Sequence, residues 1–290
     1  MRATVARLCD FFEWGSFGTA GTTPFNESEP MPVTQADLDL AARLADVAGA
    51  AIRPRFRAEH GLEVKDDASP VTLADREAEA AMRRLLIAEV PMDGIHGEEY
   101  GIREGTSDRV WVLDPIDGTR SFIAGRPIFG TLIALVENGW PILGVIDQPI
   151  IAERWVGAVG RGTTFNGKPA ATRRCRDLAD ALLATTSPAL FDDGQLHGFE
   201  HVDAKVRSTV LGGDCYSYGC LASGHLDVVV EAGLKLYDFA ALVPVVEGAG
   251  GAMSDWNGDP LHAGSNGEVI AVGDPARVEE IVELLACRGH

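Results

Sequence analysis

Long apolar runs are absent from this sequence. No stretch approaches the ~18 consecutive apolar residues of a membrane helix, and residues 1–30 hold two arginines but no apolar core long enough for a secretory signal. Cysteine is sparse: Cys9, Cys175, Cys215, Cys220 and Cys287 are odd in number and form no C-x-x-C pair, which argues for a reducing compartment without structural zinc. Positive charge is short as well. With 25 basic residues against 43 acidic ones, a net charge of -18 and no Lys/Arg cluster, nucleic acid and anionic membranes are disfavoured as partners. An anionic substrate would then call for a metal, because a bare acidic pocket repels phosphate. His/Cys clusters at metal spacing, internal repeats and, after residue 31, low-complexity tracts are also lacking. The expected compartment is the cytoplasm.

What is present is ordinary globular composition, 46% hydrophobic and 23% charged over 290 residues, enough for one large domain or two small ones. The opening segment, 1–30, lacks periodicity and is expected to be a disordered extension or a misassigned start. From there Thr34 and Asp37 resemble a capping box, and Leu38, Ala41, Leu44, Ala48 and Ile52 recur at helical spacing until Pro54. A second helix is expected from Thr72, with Asp75 in its first turn, to just before Pro91. Residues 130–136 and 141–146 flank Asn138-Gly139, a strong hairpin signal, and Asn166-Gly167 continues the meander. Residues 31–169 therefore read as an α+β half with a largely antiparallel sheet. Beyond 170, strands at 182–186, 206–211, 226–231 and 269–272 alternate with helices at 214–222, 239–247 and 275–286, which suggests an α/β half over 170–290.

The chemistry concentrates in V-W-V-L-D-P-I-D-G-T-R-S-F, residues 110–122. A short apolar strand, 110–113, is expected to stop at Asp114 because Pro115 cannot continue a ladder, leaving Asp114 and Asp117 at its carboxyl end. Gly118 and Thr119 behind them offer backbone that can approach an anion. Three further carboxylates stand at element boundaries: Glu98 in H-G-E-E-Y, Asp75, and Asp238 in L-Y-D-F-A-A-L, where it introduces an apolar helix. Each has an ordinary reading. Asp75 and Asp238 would serve as helix caps, Asp114 and Asp117 as turn residues bonded to local amides, and Glu98 and Glu231 as solvated acids. As a set they are all oxygen donors, which suits Mg²⁺ rather than zinc or copper. Two or more such ions would bridge phosphate oxygens and acidify a water, with Thr119 and Asp75 orienting it and accepting its proton.

G-E-E at 97–99, D-P-I-D-G-T at 114–119 and Y-D-F-A-A-L-V-P-V-V-E-G-A-G-G at 237–251 together resemble the inositol monophosphatase family, over about residues 31–273. The resemblance implies a layered α-β-α-β-α fold of the sugar-phosphatase type, α+β in its first half and α/β in its second. It implies Mg²⁺-dependent hydrolysis of a small phosphate ester, with two or three ions per site, and commonly a homodimer. Glu98, Asp114, the Ile116 carbonyl, Asp117 and Asp238 would be the metal ligands. Asp75 and Thr119 would activate the water, with Gly118 and Thr119 at the phosphate. Tyr237 departs from the Trp that often precedes the last aspartate.

The segment G-G-D-C-Y-S-Y-G-C-L-A-S-G-H-L-D, 212–227, with D-G-T-R-S-F, is similar to the histidinol-phosphate phosphatases of that family. There Asp214 and Glu231 would meet the substrate's cationic groups while Tyr216 or Tyr218 offers an aromatic face. The plainer alternative makes Asp214 a cap after Gly213 and leaves the tyrosines in the core. Lys65 reads as a solvated loop residue that such folds can bring near the site. Histidinol phosphate is the expected substrate, in the penultimate stage of histidine synthesis. Inositol phosphate, a sugar phosphate or phosphoadenosine phosphate are the alternatives, and a non-catalytic phosphate- or metal-binding regulator is a different class of reading.

Overall fold

The structure, a computed structural model, describes residues 33–58, 63–64 and 70–286. The expectations for 1–30, Lys65 and the cysteines at 9 and 287 lie outside the described residues. Two helices come first: α1 (Gln35–Ile52), opened by the expected Thr34–Asp37 capping box, and α2 (Leu73–Glu89), opened by a second box between Thr72 and Asp75. The short pair β1 (Glu63–Val64) and β2 (Pro70–Val71) lies between them in sequence. Next come β3 (Gly94–Gly97), β4 (Gly101–Arg103), β5 (Arg109–Asp117), α3 (Thr119–Ile123), β6 (Gly130–Glu137), β7 (Trp140–Gln148), β8 (Glu153–Ala158), β9 (Gly162–Phe165) and β10 (Lys168–Pro169). These strands form one sheet in the order β10-β9-β8-β7-β6-β5-β3-β4.

The second sheet has the order β12-β11-β13-β15-β14, from β11 (Leu182–Thr185), β12 (Ser208–Leu211), β13 (Val228–Glu231), β14 (Ala252–Ser254) and β15 (Val269–Val272). It is mixed: β12, β11 and β13 run parallel, while β15 and β14 pair antiparallel. Five helices belong to this half, α4 (Asp193–Asp203), α5 (Asp214–Ala222), α6 (Leu236–Phe239), α7 (Leu242–Gly248) and α8 (Val278–Leu285).

Alternation along the strands builds the layers. On β5, Trp111 and Leu113 face α1 and α2, whereas Val112 faces a central layer of α5, α6 and α7 sandwiched between the sheets. The outer face of the second sheet, with Leu183, Val228, Val230 and Ile270, is covered by Phe199 and Val202 of α4 and Ile281 and Leu285 of α8. The result is the expected α-β-α-β-α stack. Among the described residues no helix is long and apolar enough to cross a membrane.

Four local expectations change. First, β3 was not anticipated; it joins the otherwise antiparallel sheet through a parallel pair with β5. Second, β5 does not stop at Asp114; it continues to Asp117 through an irregularity at Pro115, where Asp114 pairs with Leu132 and Asp117 with Gly130. Proline removes a donor from the ladder and a bulge absorbs the loss. Third, the apolar helix expected at 239–247 is broken, because Pro244 lacks an amide hydrogen and its ring collides with a preceding carbonyl. Restarting at Leu242 puts that proline in a first turn, where the donor is not needed. Fourth, α4 was not anticipated, although Asp192 and Gln195 form a capping box that the sequence displayed.

The central layer approaches the large sheet closely because β7 and β8 present glycines. A Cβ on Gly144 would lie 1.9 Å from the Ala241 carbonyl oxygen, and one on Gly157 2.2 Å from that of Pro244. Both obstacles are backbone, so the helix would have to lift away. Gly144→Ala is expected to destabilise the protein by about 3 kcal/mol, the upper part of the usual overpacking range. Comparing thermal unfolding of the variant and the wild type checks it.

Candidate active site

Register brings the first carboxylates together. In the parallel pair β3–β5, Gly97 is opposite Leu113, so Glu98, just past the end of β3, and Asp114, in the last part of β5, follow side by side. The Glu98 amide donates to the Leu113 carbonyl at 3.1 Å. In a regular strand, residues three apart point to opposite faces. The irregularity after Asp114 resets that parity, turning Ile116 to the outer core with Trp111 and Leu113, and Asp117 back toward Asp114. One ligand oxygen each from Asp114, Asp117 and Asp238 then lie within 4.8 Å of one another.

Asp238 reaches this cluster from the other half of the chain. It is the third residue of α6, not the cap of a later helix, and its carboxylate accepts the Lys235 amide at 2.6 Å. Asp75 is arranged alike: its Oδ2 accepts from the Thr72 amide (2.8 Å) and hydroxyl (2.6 Å), while Oδ1, buried, has no hydrogen-bond partner. Capping and site roles are thus compatible, since capping occupies one oxygen. The Thr119 hydroxyl donates to the Ile116 carbonyl at 3.1 Å rather than to Asp75. Gly118, at φ 86, opens α3, and a Cβ there would sit 2.7 Å from an Asp214 oxygen.

Glu79 was missed by sequence reasoning. Fully buried on α2, one turn after Asp75, it accepts the amides of Glu99 (2.7 Å) and Tyr100 (3.2 Å), fills the space a Cβ on Gly97 would need, and pairs with Arg83 at 2.7 Å. It therefore anchors the turn that carries Glu98. Its helical spacing from Asp75 and a glutamate among apolar positions were the available signals.

The electrostatics call for a cation. Asp114 is held well above the usual carboxylate range by burial first and then by the charges of Glu98, Asp117, Asp238 and Asp75. Burial, then Asp214 and Asp238, does the same to Asp117. Burial lifts Asp238 to about 7 and Asp75 to about 6. Asp238 and Asp114 lie within hydrogen-bonding reach of each other, so they must share a proton or a positive ion. An all-oxygen donor set, uncompensated negative charge and an orphaned Asp75 oxygen fit a hard divalent cation.

A cavity of ≈ 300 Å³ opens beside Asp117 and Asp238, and Asp214, Tyr218 and Glu231 also line it. Asp214 starts α5 at φ 44 but makes no capping bond; its carboxylate accepts the Ser121 hydroxyl at 3.3 Å, and burial raises its pKa against the opposing charges of Arg126 and Arg120. Glu231 is buried rather than solvated, accepts the Thr186 amide (2.8 Å) and hydroxyl (2.6 Å), and is lifted to about 7 chiefly by burial. Thr186, a lining residue, was not anticipated. Of the two candidate tyrosines only Tyr218 lines the cavity; Tyr216 bonds Glu153 at 2.6 Å and packs edge-on against Trp155. The Cys215 amide donates to Asp117 at 2.6 Å, linking the cavity wall to the acidic cluster.

Five alternating layers around an acidic crevice place the fold in the layered, sugar-phosphatase-like class. Residues 32–289 match the sequence pattern described as the inositol monophosphatase family. A chloroplastic bifunctional phosphatase of Arabidopsis thaliana is 48% identical over 273 residues, 90% of this chain and 79% of its own length. A histidinol-phosphatase of Streptomyces coelicolor is 37% identical over 248 residues, 81% of this chain and 92% of its own. Among solved structures, an inositol monophosphatase from Zymomonas mobilis is 56% identical, with a TM-score of 0.81 over 87% of this chain and 98% of that one. The chain belongs to the inositol monophosphatase family.

Proposed function

We propose that this phosphatase hydrolyses L-histidinol phosphate to L-histidinol and phosphate with Mg²⁺, two or three ions per site. The observation that carries the reading is the pair of carboxylates, Asp214 and Glu231, lining the cavity beside the acidic cluster. A phosphate pocket has no use for them; an alcohol bearing an ammonium or imidazolium does. The name of the Streptomyces coelicolor relative supports the same substrate.

In this reading Glu98, Asp114, the Ile116 carbonyl, Asp117 and Asp238 hold magnesium. The metal would neutralise phosphate charge and acidify the attacking water. Asp75 uses its unpartnered Oδ1 to take a proton from that water, and Thr119, fixed on the Ile116 carbonyl, orients it. Water oxygen bonds to phosphorus as the bond to the alcohol oxygen breaks, and the departing oxygen takes up a proton from solvent water to leave as the alcohol. Gly118 and Thr119 support the phosphate through their backbone. Residues 31–169 supply all these groups except Asp238, and 170–290 supply Asp238 and the alcohol pocket, so we read them as two cooperating halves, in a chain that works as a homodimer.

Inositol phosphate is the second reading, favoured by the 56% identical Zymomonas mobilis inositol monophosphatase and by the partial balancing of Asp214 by Arg126 and Arg120. Phosphate release from a panel of histidinol, inositol, sugar and phosphoadenosine phosphates separates them; equal or better turnover of inositol phosphate would sink the first. Asp214→Asn is the variant of choice, because asparagine tolerates the left-handed backbone that alanine resists. Losing a charge-assisted bond of about 1.5–3 kcal/mol should lower the preference for histidinol over inositol phosphate by ~10-fold or more, mainly through KM.

A further inference from the structure

Among the described residues, four buried side-chain polar atoms have no hydrogen-bond partner: Asp75 Oδ1, Arg109 Nε, Arg277 Nε and Tyr218 Oη. The two arginines are ion-paired through another guanidinium nitrogen, Arg109 to Asp37 and Arg277 to Glu280. Asp75 Oδ1 has its use at the attacking water. Only Tyr218 has its whole polar group unsatisfied, although its side chain is 1% exposed. A buried hydroxyl left unpaired costs free energy that phenylalanine would avoid, so its retention here points to a partner that arrives from outside the fold.

The surroundings say what that partner is. Tyr218 stands one helical turn after Asp214 on α5, and helical spacing sets both on the cavity side. The groups acting electrostatically on its hydroxyl are Glu231, Asp117, Asp238 and Cys215, and all four residues line the same cavity. A neutral phenol among carboxylates is best served by a donor that can bond it and a carboxylate at once. A primary ammonium has three N–H bonds, and this wall presents three acceptors: Asp214, Glu231 and Tyr218 Oη.

We propose that Tyr218 is a specificity-determining residue whose Oη accepts an N–H from the cationic group of the substrate alcohol. The proposal rests on the reading above that the alcohol carries such a group. It separates the two aromatic candidates, since Tyr216 is committed to Glu153.

Tyr218→Phe removes one oxygen and nothing else. In wild type and variant, kcat/KM is measured for L-histidinol phosphate and p-nitrophenyl phosphate, together with inhibition of p-nitrophenyl phosphate hydrolysis by L-histidinol and the thermal midpoint. The expected result is a ~10-fold fall in the ratio of the two kcat/KM values, a ~10-fold weaker L-histidinol inhibition, and a midpoint as high as wild type or higher. A merely packed tyrosine would leave ratio and inhibition within two-fold, and that overturns the proposal. If the wild type prefers another phosphate ester, the substrate reading fails by itself. Tyr218 is then judged by L-histidinol inhibition alone: selective weakening in the variant upholds it, and absent or unaltered inhibition overturns it.

Discussion

Replacing Asp117 by asparagine is expected to abolish Mg²⁺-dependent phosphate release, lowering kcat/KM by ~10³-fold or more, while the metal-free protein becomes at least as stable as wild type. Removing one preorganised stabilising group commonly costs ~10²–10³-fold, and a residue central to metal binding should cost at least that. Asparagine keeps an oxygen for the Cys215 amide at 2.6 Å, so the local backbone has no reason to move. What disappears is one negative charge facing Asp214 and Asp238.

The stability half has a definite sign. Burial lifts Asp238 to about 7 and Asp75 to about 6, and holds Asp114 and Asp117 well above the usual range. An unfolded aspartate titrates near ~3.9. Between about pH 4 and 7 the metal-free folded chain therefore binds more protons than the unfolded one, and this contribution to stability is lost as pH rises through the window. With EDTA, the thermal midpoint of wild type should fall from pH 5 to pH 7.5, and less steeply for Asp117→Asn. Mg²⁺ at 100 times its Kd should add about 2.7 kcal/mol to wild type, and much less to the variant. Unchanged activity, or equal stabilisation of both proteins by Mg²⁺, would contradict the assignment of Asp117.

The second large effect is expected at Asp75. Asp75→Asn should lower kcat by ~10²–10⁴-fold, the usual worth of a general base, with Mg²⁺ affinity and thermal midpoint close to wild type. An asparagine oxygen can still accept the two bonds from Thr72, so the start of α2 stays capped. The position now occupied by the unpartnered Oδ1 then carries an amide NH₂, which cannot accept a proton. Single-turnover kinetics beside Mg²⁺-dependent unfolding distinguishes this from a folding defect. A midpoint that falls in step with activity would mean that Asp75 is only a cap. The regulator reading makes its own forecast, that no phosphate ester is turned over by wild type.

How much was legible varied residue by residue. The Thr34–Asp37 capping box, the Asn138-Gly139 hairpin and the strands β11, β12, β13 and β15 were readable because each signal is contained in a few neighbouring residues, whereas the three-residue β14 and the capping box of α4 went unread. The D-P-I-D-G-T string announced two carboxylates and a glycine turn for the same reason. Less local matters went astray. No strand was expected at 94–97, because four residues with two glycines carry almost no pattern, yet the parallel pairing of β3 with β5 is what sets Glu98 beside Asp114. Asp238 was read as the start of a helix because the apolar run follows it, while the break before Leu242 depends on Pro244, six residues on.

The sequence alone determined the chemical inventory: oxygen-only donors, a scarcity of cations to balance them, and a motif set that names the family. Residue type and short spacing are enough for that, because they are properties of the covalent chain. Tertiary structure decided which of these groups meet. The irregularity in β5 resets strand parity, the parallel register of β3 sets Glu98 beside Asp114, and the glycines of β7 and β8 let the central layer bring Asp238 in from more than a hundred residues away. It also decided that Tyr218, and not Tyr216, lines the cavity. Periodicity tells which residues share a face, but the rotation of that face toward a partner layer is set by packing across the whole fold.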